Sequence, residues 1–221
     1  MNTWKRVVMG LLIAGGVIAL FAFTFRRGET KKKKIPFVPP KGCVFRTLIG
    51  EESSSNYAVY KTPEKVQHAI EGGLSWIIEA QHENGGWGSG THARQDVLDP
   101  HAVHTDPATT AMVAMALLRS GTTLSSGPYA QSLRKALEYL LTAVESAAEN
   151  SVTITNETGT QIQTKLGNNI DVILTSQFLS NILPYVDHDG ALKARVRRCQ
   201  DECVGKIQRA QDGNGSIAGS G

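Results

Sequence analysis

Apolar residues along the 221-residue chain follow three different spacings. Residues 7 to 25, VVMGLLIAGGVIALFAFTF, run nineteen long without a charge, between Lys5-Arg6 and Arg26-Arg27. Residues 26 to about 60 keep no period and hold Lys31 to Lys34, Pro36, Pro39, Pro40 and the polar stretch GEESSSNYAVY. From Thr62 onward the spacing turns helical. Thr62-Pro63-Glu64 offers an N-cap, a proline at the first helical position and an acid in the first turn, and Val66, Ala69, Ile70, Leu74, Ile77 and Ile78 follow at 3.6-like intervals to about Gln81. A second helix is predicted after Asp106-Pro107, through Ala111, Val113, Ala114, Met115, Leu117 and Leu118, stopping at Gly121. A third covers about Pro128 to Ala148, a fourth about Ile170 to Tyr185 and a fifth about Ala191 to Ala210. The one segment with a strand-like pattern, SVTITNETGTQIQT, reads as a short hairpin.

The helical part repeats itself. A shift of 65 residues lays Asp106-Pro-Ala-Thr-Thr110 on Asp171-Val-Ile-Leu-Thr175 and Leu117-Leu118 on Ile182-Leu183. A shift of 130 lays EAQHENGGWGSG on RAQDGNGSIAGSG, with Ala80-Gln81 on Ala210-Gln211, Trp87 on Ile217, and Val66, Leu74 and Ile77 on Val196, Val204 and Ile207. About two and a half copies of a helix-turn-helix unit result, and such units bury their apolar faces by stacking on neighbours.

Charge and length organise the rest. At ~1.5 Å per residue the apolar run 7 to 25 is long enough to cross a hydrocarbon core, so residues 1–27 read as a transmembrane anchor with basic flanks that contacts membrane lipid. A cleavable secretory signal is the alternative; the length of the run and the Arg-Arg directly after it favour the anchor. The basic excess after the run places the body on the cytoplasmic side of a single-pass membrane protein, unless the short basic N-terminus orients the span the other way. Residues 28–60 read as a basic, Pro-rich linker and 61–221 as the repeat domain. Residues 1 to 46 carry ten Lys/Arg against one acid, while residues 47 to 221 carry thirteen against nineteen, giving +9 and −6. An acidic body without a basic, aromatic platform excludes nucleic acid as a partner. Three cysteines, Cys43, Cys199 and Cys203, cannot all pair, so no disulfide framework is expected.

Gln81-x3-Gly85-Gly86-Trp87-Gly88 resembles the Gln-x-x-x-Gly-x-Trp repeat of squalene-hopene cyclases and their relatives, and DPATTAMVAMALLRSG is similar to an inner helix of the same α/α-toroid superfamily. Gln211 and Gly215 repeat part of the motif. The physical logic suits a repeat joint: the Gln amide bonds orphan backbone groups at a helix end, Gly permits the sharp exit, and Trp covers the joint. The resemblance implies an all-α fold of helical hairpins forming part of an α/α toroid. In class II terpene cyclases the proton donor is the middle carboxylate of Asp-x-Asp-Asp-Thr-Ala. Laying Thr110-Ala111 on that Thr-Ala puts Asp106 on the first Asp and Ala108 on the donor, so the acid is missing and no catalytic residue is assigned. Asp106 then reads as an N-cap, a role Asp171 would repeat. Prenyltransferase β-subunits of the same superfamily hold zinc through Asp, Cys and His. Here the loop HARQDVLDPHAVHTD offers His92, Asp96, Asp99, His101, His104 and Asp106, with no Cys nearby and no closed-site spacing; His92, His101 and His104 are the metal candidates, against a solvated rim loop. No cofactor is predicted, and zinc is the minor alternative.

Cys199 and Cys203 fall on Ala69 and Gly73 in the repeat and read as small buried thiols. Arg195, Arg197 and Arg198 read as a solvated face, with a site for an acidic ligand as the minor alternative, and Asn156-Glu-Thr as a glycosylation acceptor only in a eukaryotic secretory setting. A closed toroid of the resembled kind needs roughly twice the helices present. The expectation is therefore the front part of a longer isoprenoid cyclase or prenyltransferase, or an arc completed by a partner. The reading that follows is a membrane-anchored repeat module for a lipid-like ligand or a protein partner, with Asp106, Trp87, His101 and His104 as ligand or rim residues.

Overall fold

Local signals set where the helices begin and end in the computed structural model, which describes residues 63–217. Among them the fold is all-α: α1 (Glu64–Glu79), α2 (Pro107–Arg119), α3 (Ala130–Ser146), α4 (Gln161–Leu166), α5 (Ile170–Ile182) and α6 (Gly190–Ala210), with 3-10 turns at Pro100–Ala102 and Leu183–Val186. α1 starts behind Pro63 without a side-chain cap, Thr62 lying outside the described residues. Asp106 caps α2, accepting from Thr109 N at 2.7 Å, and Pro107 occupies the first helical position, where a missing N–H costs nothing. Asp189 caps α6 by accepting from Ala191 N and Leu192 N.

The expected hairpin in residues 151 to 164 is not formed. Among the described residues no strand occurs, and Thr91 with Thr160 and Gln211 with Ile217 are single bridges. The segment instead opens α4 through a capping box, in which Thr160 and Gln163 each bond the other's backbone N–H. The Thr-x-x-Gln spacing that produces it was present in the sequence and outweighs the alternation of Val and Ile.

The membrane placement expected from the sequence is corrected. Among the described residues no helix is long and apolar enough to cross a membrane. The longest, α6, has 21 residues but carries Lys193, Arg195, Arg197, Arg198, Asp201, Glu202, Lys206 and Arg209. The run 7 to 25, on which the anchor was placed, lies outside the described residues.

The core sits where α2, α3, α5 and α6 meet: α2 packs on α5 and α3, and α6 packs on α5 and α3. Ala108, Ala111 and Ala114 of α2 are buried, and their small side chains let α2 approach its neighbours closely. Leu133, Leu137, Leu140, Leu141 and Val144 of α3 and Val172, Phe178, Leu179 and Ile182 of α5 fill the interior. Each such side chain contributes about 1.5–3 kcal/mol on full burial. α1 differs. It has no buried residue, and only Leu74, Ile77 and Ile78, toward its C-terminal end, pack against the core.

Candidate functional site

The repeat seen in the sequence reappears atom by atom at the joints. Gln81 Nε2 donates to Gly85 O at 2.9 Å, and Gln211 Nε2 donates to Gly215 O at 3.1 Å. His82 N donates to Gly86 O and Gly85 N to His82 O; 130 residues on, Asp212 N donates to Ser216 O and Gly215 N to Asp212 O. Gly85 and Gly215 both take a positive φ, +89° and +84°, a region an L side chain rarely enters. The first turn is tied further into the molecule: Gln81 Nε2 also reaches Ser132 O at 3.0 Å, and Trp87, buried, donates its indole N–H to Ile77 O at 2.7 Å. A Cβ at Gly88 would overlap the His104 carbonyl oxygen, which is why the chain can cross there only as glycine.

Two buried carboxylates stand 65 residues apart at the N-terminal ends of α2 and α5. Asp106 Oδ2 accepts from Ser89 N at 3.3 Å, and Asp171 Oδ2 accepts from Ile154 N at 2.8 Å, Ser89 and Ile154 themselves being 65 residues apart. Each carboxylate thus tethers the loop that precedes its helix. They differ in detail. Asp106 is also the N-cap and accepts from Thr109 Oγ1 at 2.8 Å. Asp171 is not an N-cap, contrary to the sequence expectation: α5 starts at Ile170 with Asn169 in the cap position, so Asp171 lies inside the first turn. Its Oδ1 has no hydrogen-bond partner. Burial pushes both carboxyls above the ordinary carboxylate value, with Asp106 adding a smaller push on Asp171.

Beside these ends the loops build two open recesses. One, of about 510 Å³, is lined by His82, Asn84, His101, Thr105, His104 and Glu157 among others. The other, of about 260 Å³, includes Thr91, Arg94, Val97, His104, Glu157 and Thr160. His104 and Glu157 belong to both, joined at 3.1 Å between Nδ1 and Oε1. The His82 and His101 rings lie 5.1 Å apart between centroids. His92, by contrast, faces Gln161 Oε1 at 3.1 Å and lines neither recess. Among the described residues no group of three or more His, Cys, Asp or Glu is placed to hold a metal ion. The sequence did not single out His82; its approach to His101, nineteen residues on, depends on the fold of the loop. Arg94 is paired with Asp96 at 3.0 Å, which leaves the smaller recess without a committed anion-binding group.

On α6, Cys199 and Cys203 are buried, and burial raises the thiols to about 11 and about 12, which keeps them protonated and unreactive. Arg195 is less solvated than expected. It bonds Glu138 Oε2 at 2.7 Å and Glu145 Oε2 at 2.8 Å, and Arg198 joins Glu145 Oε1 at 3.1 Å. The Arg195 bonds hold the Glu145 carboxyl down at about 2. Lys206, buried, donates to Ala148 O and Ser151 O and so closes the end of α3.

Among the described residues, α1 presents an unpartnered apolar stripe. Val66, Ile70 and Trp76 are 46%, 47% and 58% exposed. Their face corresponds, at the 130-residue shift, to that of α6, where Val196, Cys199, Cys203 and Lys206 are at most 2% exposed; the matching residues are Val66, Ala69, Gly73 and Trp76. α6 gains this burial from α5, the helix before it, and from α3.

Among the described residues the fold and these joints define an all-α architecture with an internal helical repeat. No family model matches the chain, and no curated protein or solved structure matches it. Cyclase-like and prenyltransferase-like labels therefore find no support beyond the motif, and the site offers no proton donor at Ala108.

Proposed function

We propose that the repeat is an arc of the α/α-toroid type that works as a non-catalytic interaction module, with the exposed stripe of α1 taking an apolar helix of a protein partner. The observation that carries this reading is the contrast between equivalent faces: what α5 and α3 cover on α6 stands open on α1. An exposed tryptophan with aliphatic residues along the same helix is a common anchor of a helix-in-groove contact. The body is acidic, −6 over residues 47 to 221, so a partner of net positive charge associates faster. A protein fits better than a lipid-like ligand, which needs an enclosed apolar cavity; the two loop recesses are open and carry charged side chains. Catalysis is disfavoured because Asp106 spends both oxygens on α2 and the loop before it.

Site-specific photocrosslinking tests the reading. A photoreactive residue at Ile70 is expected to capture a helical segment of another protein, while one at Leu98, more exposed at 89% but off the stripe, is not. Equal capture from both positions, or capture only of a second copy of this chain, would overturn it.

A further inference from the structure

Between α1 and α2 the chain holds a pair of imidazoles whose arrangement is independent of the interaction reading. His82 Nε2 lies 3.0 Å from Pro100 O, and His101 Nε2 lies 3.0 Å from Glu79 O. A backbone carbonyl can only accept, so in each ring Nε2 carries the proton and donates it. That fixes the neutral tautomer and leaves Nδ1 of both rings as the basic nitrogen. It is the arrangement found behind metal-bound histidines, where the second ring nitrogen donates to a carbonyl and thereby orients the ring and raises the basicity of the first.

The spacing of the rings agrees. Zinc–nitrogen bonds of about 2.0–2.1 Å at a tetrahedral angle place two ring centres on the order of 5 Å apart. His82 and His101 are 5.1 Å apart with their planes tilted by 53°. They line the same recess, which is open and has room for water molecules to fill further coordination positions. The four other histidines lack this combination: His68 lies beside Glu64 and Glu71, His92 faces Gln161, His104 has Nδ1 turned to Glu157, and His188 lies near Asp187.

We infer that His82 and His101 form an open two-imidazole site for a d-block divalent cation, zinc or copper(II), bound through the two Nδ1 atoms with water completing the shell. Two protein ligands are fewer than a closed structural site uses, in keeping with the absence of a three-ligand group among the described residues. The site therefore exchanges its metal readily and contributes little to folding. The chemistry that singles these residues out is the backbone acceptor behind each ring, which a count of histidines in the loop does not reveal.

Titration of the metal-free full chain with zinc chloride, followed by calorimetry, tests the inference. One equivalent is expected to bind. His82→Ala and His101→Ala should each weaken it about tenfold or more, while His92→Ala and His104→Ala change it less than about twofold. Because a variant can disturb the loop, long-range proton–nitrogen spectra of the unsubstituted chain give a second reading: zinc should shift the Nδ1 resonances of two histidines and leave their Nε2 protons in place. Absence of binding, retention of binding in the doubly substituted His82→Ala/His101→Ala chain, or shifts at Nε2 would overturn the site.

Discussion

α1 and α6 carry the same face of the same repeat, and one buries it while the other does not. On α6, Val196, Cys199 and Cys203 are sealed against α3 and α5; on α1, Val66, Ala69 and Gly73 meet solvent. Composition alone does not account for the difference: Ala69 and Gly73 are smaller than Cys199 and Cys203, but Val66 equals Val196 and the apolar Trp76 stands where α6 has Lys206. Among the described residues it tracks the neighbours: α3 and α6 pack on the helices preceding them, α2 and α5 respectively, whereas no described helix precedes α1. A repeat face is therefore a capacity for contact, and only a neighbour converts it into stability.

The largest expected effect breaks a buried attachment of α1, the indole bond to Ile77 O. Trp87→Ala removes a buried indole and its bond to Ile77 O and should destabilise the fold by about 3–5 kcal/mol in denaturant titration. An unchanged midpoint would mean that the joint does not hold α1 to the core. Next comes the same substitution at equivalent positions. Val196→Ala should cost about 1.5–3 kcal/mol through lost burial and a cavity. Val66→Ala should stay within about 0.5 kcal/mol. Equal costs would remove the contrast between the helices. Smaller again, and of opposite sign, Gly73→Ala should stabilise by roughly 0.5–1 kcal/mol, because a helical glycine with open space beside it gains propensity without a clash.

The smallest effects are changes of slope with pH. Burial raises Asp171 above its ordinary 3.8, so the unfolded chain releases its proton first; the associated stability is full below about that value and is lost as pH rises through the folded value. Glu145 works the other way. Held by Arg195 at about 2 against an ordinary 4.5, it supports the fold above about 4.5 and loses that support as pH falls toward 2. Asp171→Asn should flatten the loss of stability as pH rises above about 3.8, and Glu145→Gln the loss as pH falls below about 4.5, in stability curves measured at several pH values. An unaltered slope above about 3.8 in Asp171→Asn would show that the carboxyl titrates alike in both states.

Much of the architecture was legible in the sequence. Periodicity located five helices within a few residues of their ends, and the two shifts anticipated the paired turns at Gln81 and Gln211 and the pairing of Asp106 with Asp171. Periodicity could not say whether a face had a neighbour, so Val66 and Ile70 were grouped with Leu74 and Ile77 although only the latter pair reaches the core. Alternating Val and Ile suggested a hairpin where the Thr160–Gln163 capping box starts a short helix. Spacing gives Asp171 the capping role of its repeat counterpart Asp106, because a two-residue offset in helix start is below what spacing can resolve. The proximity of His82 to His101 follows from backbone carbonyls at Glu79 and Pro100, atoms that every residue possesses and no motif marks.

The turn that begins at Gln211 lies almost wholly in solvent, yet closes with the same bonds as its counterpart at Gln81, which is wedged against Ser132. The shape of that corner is thus written in the few amides, the Gln side chain and the glycine that compose it, and does not wait for surrounding mass to mould it. Lengthening such an array requires a new rod with a compatible flank, since the bend between rods arrives ready-made.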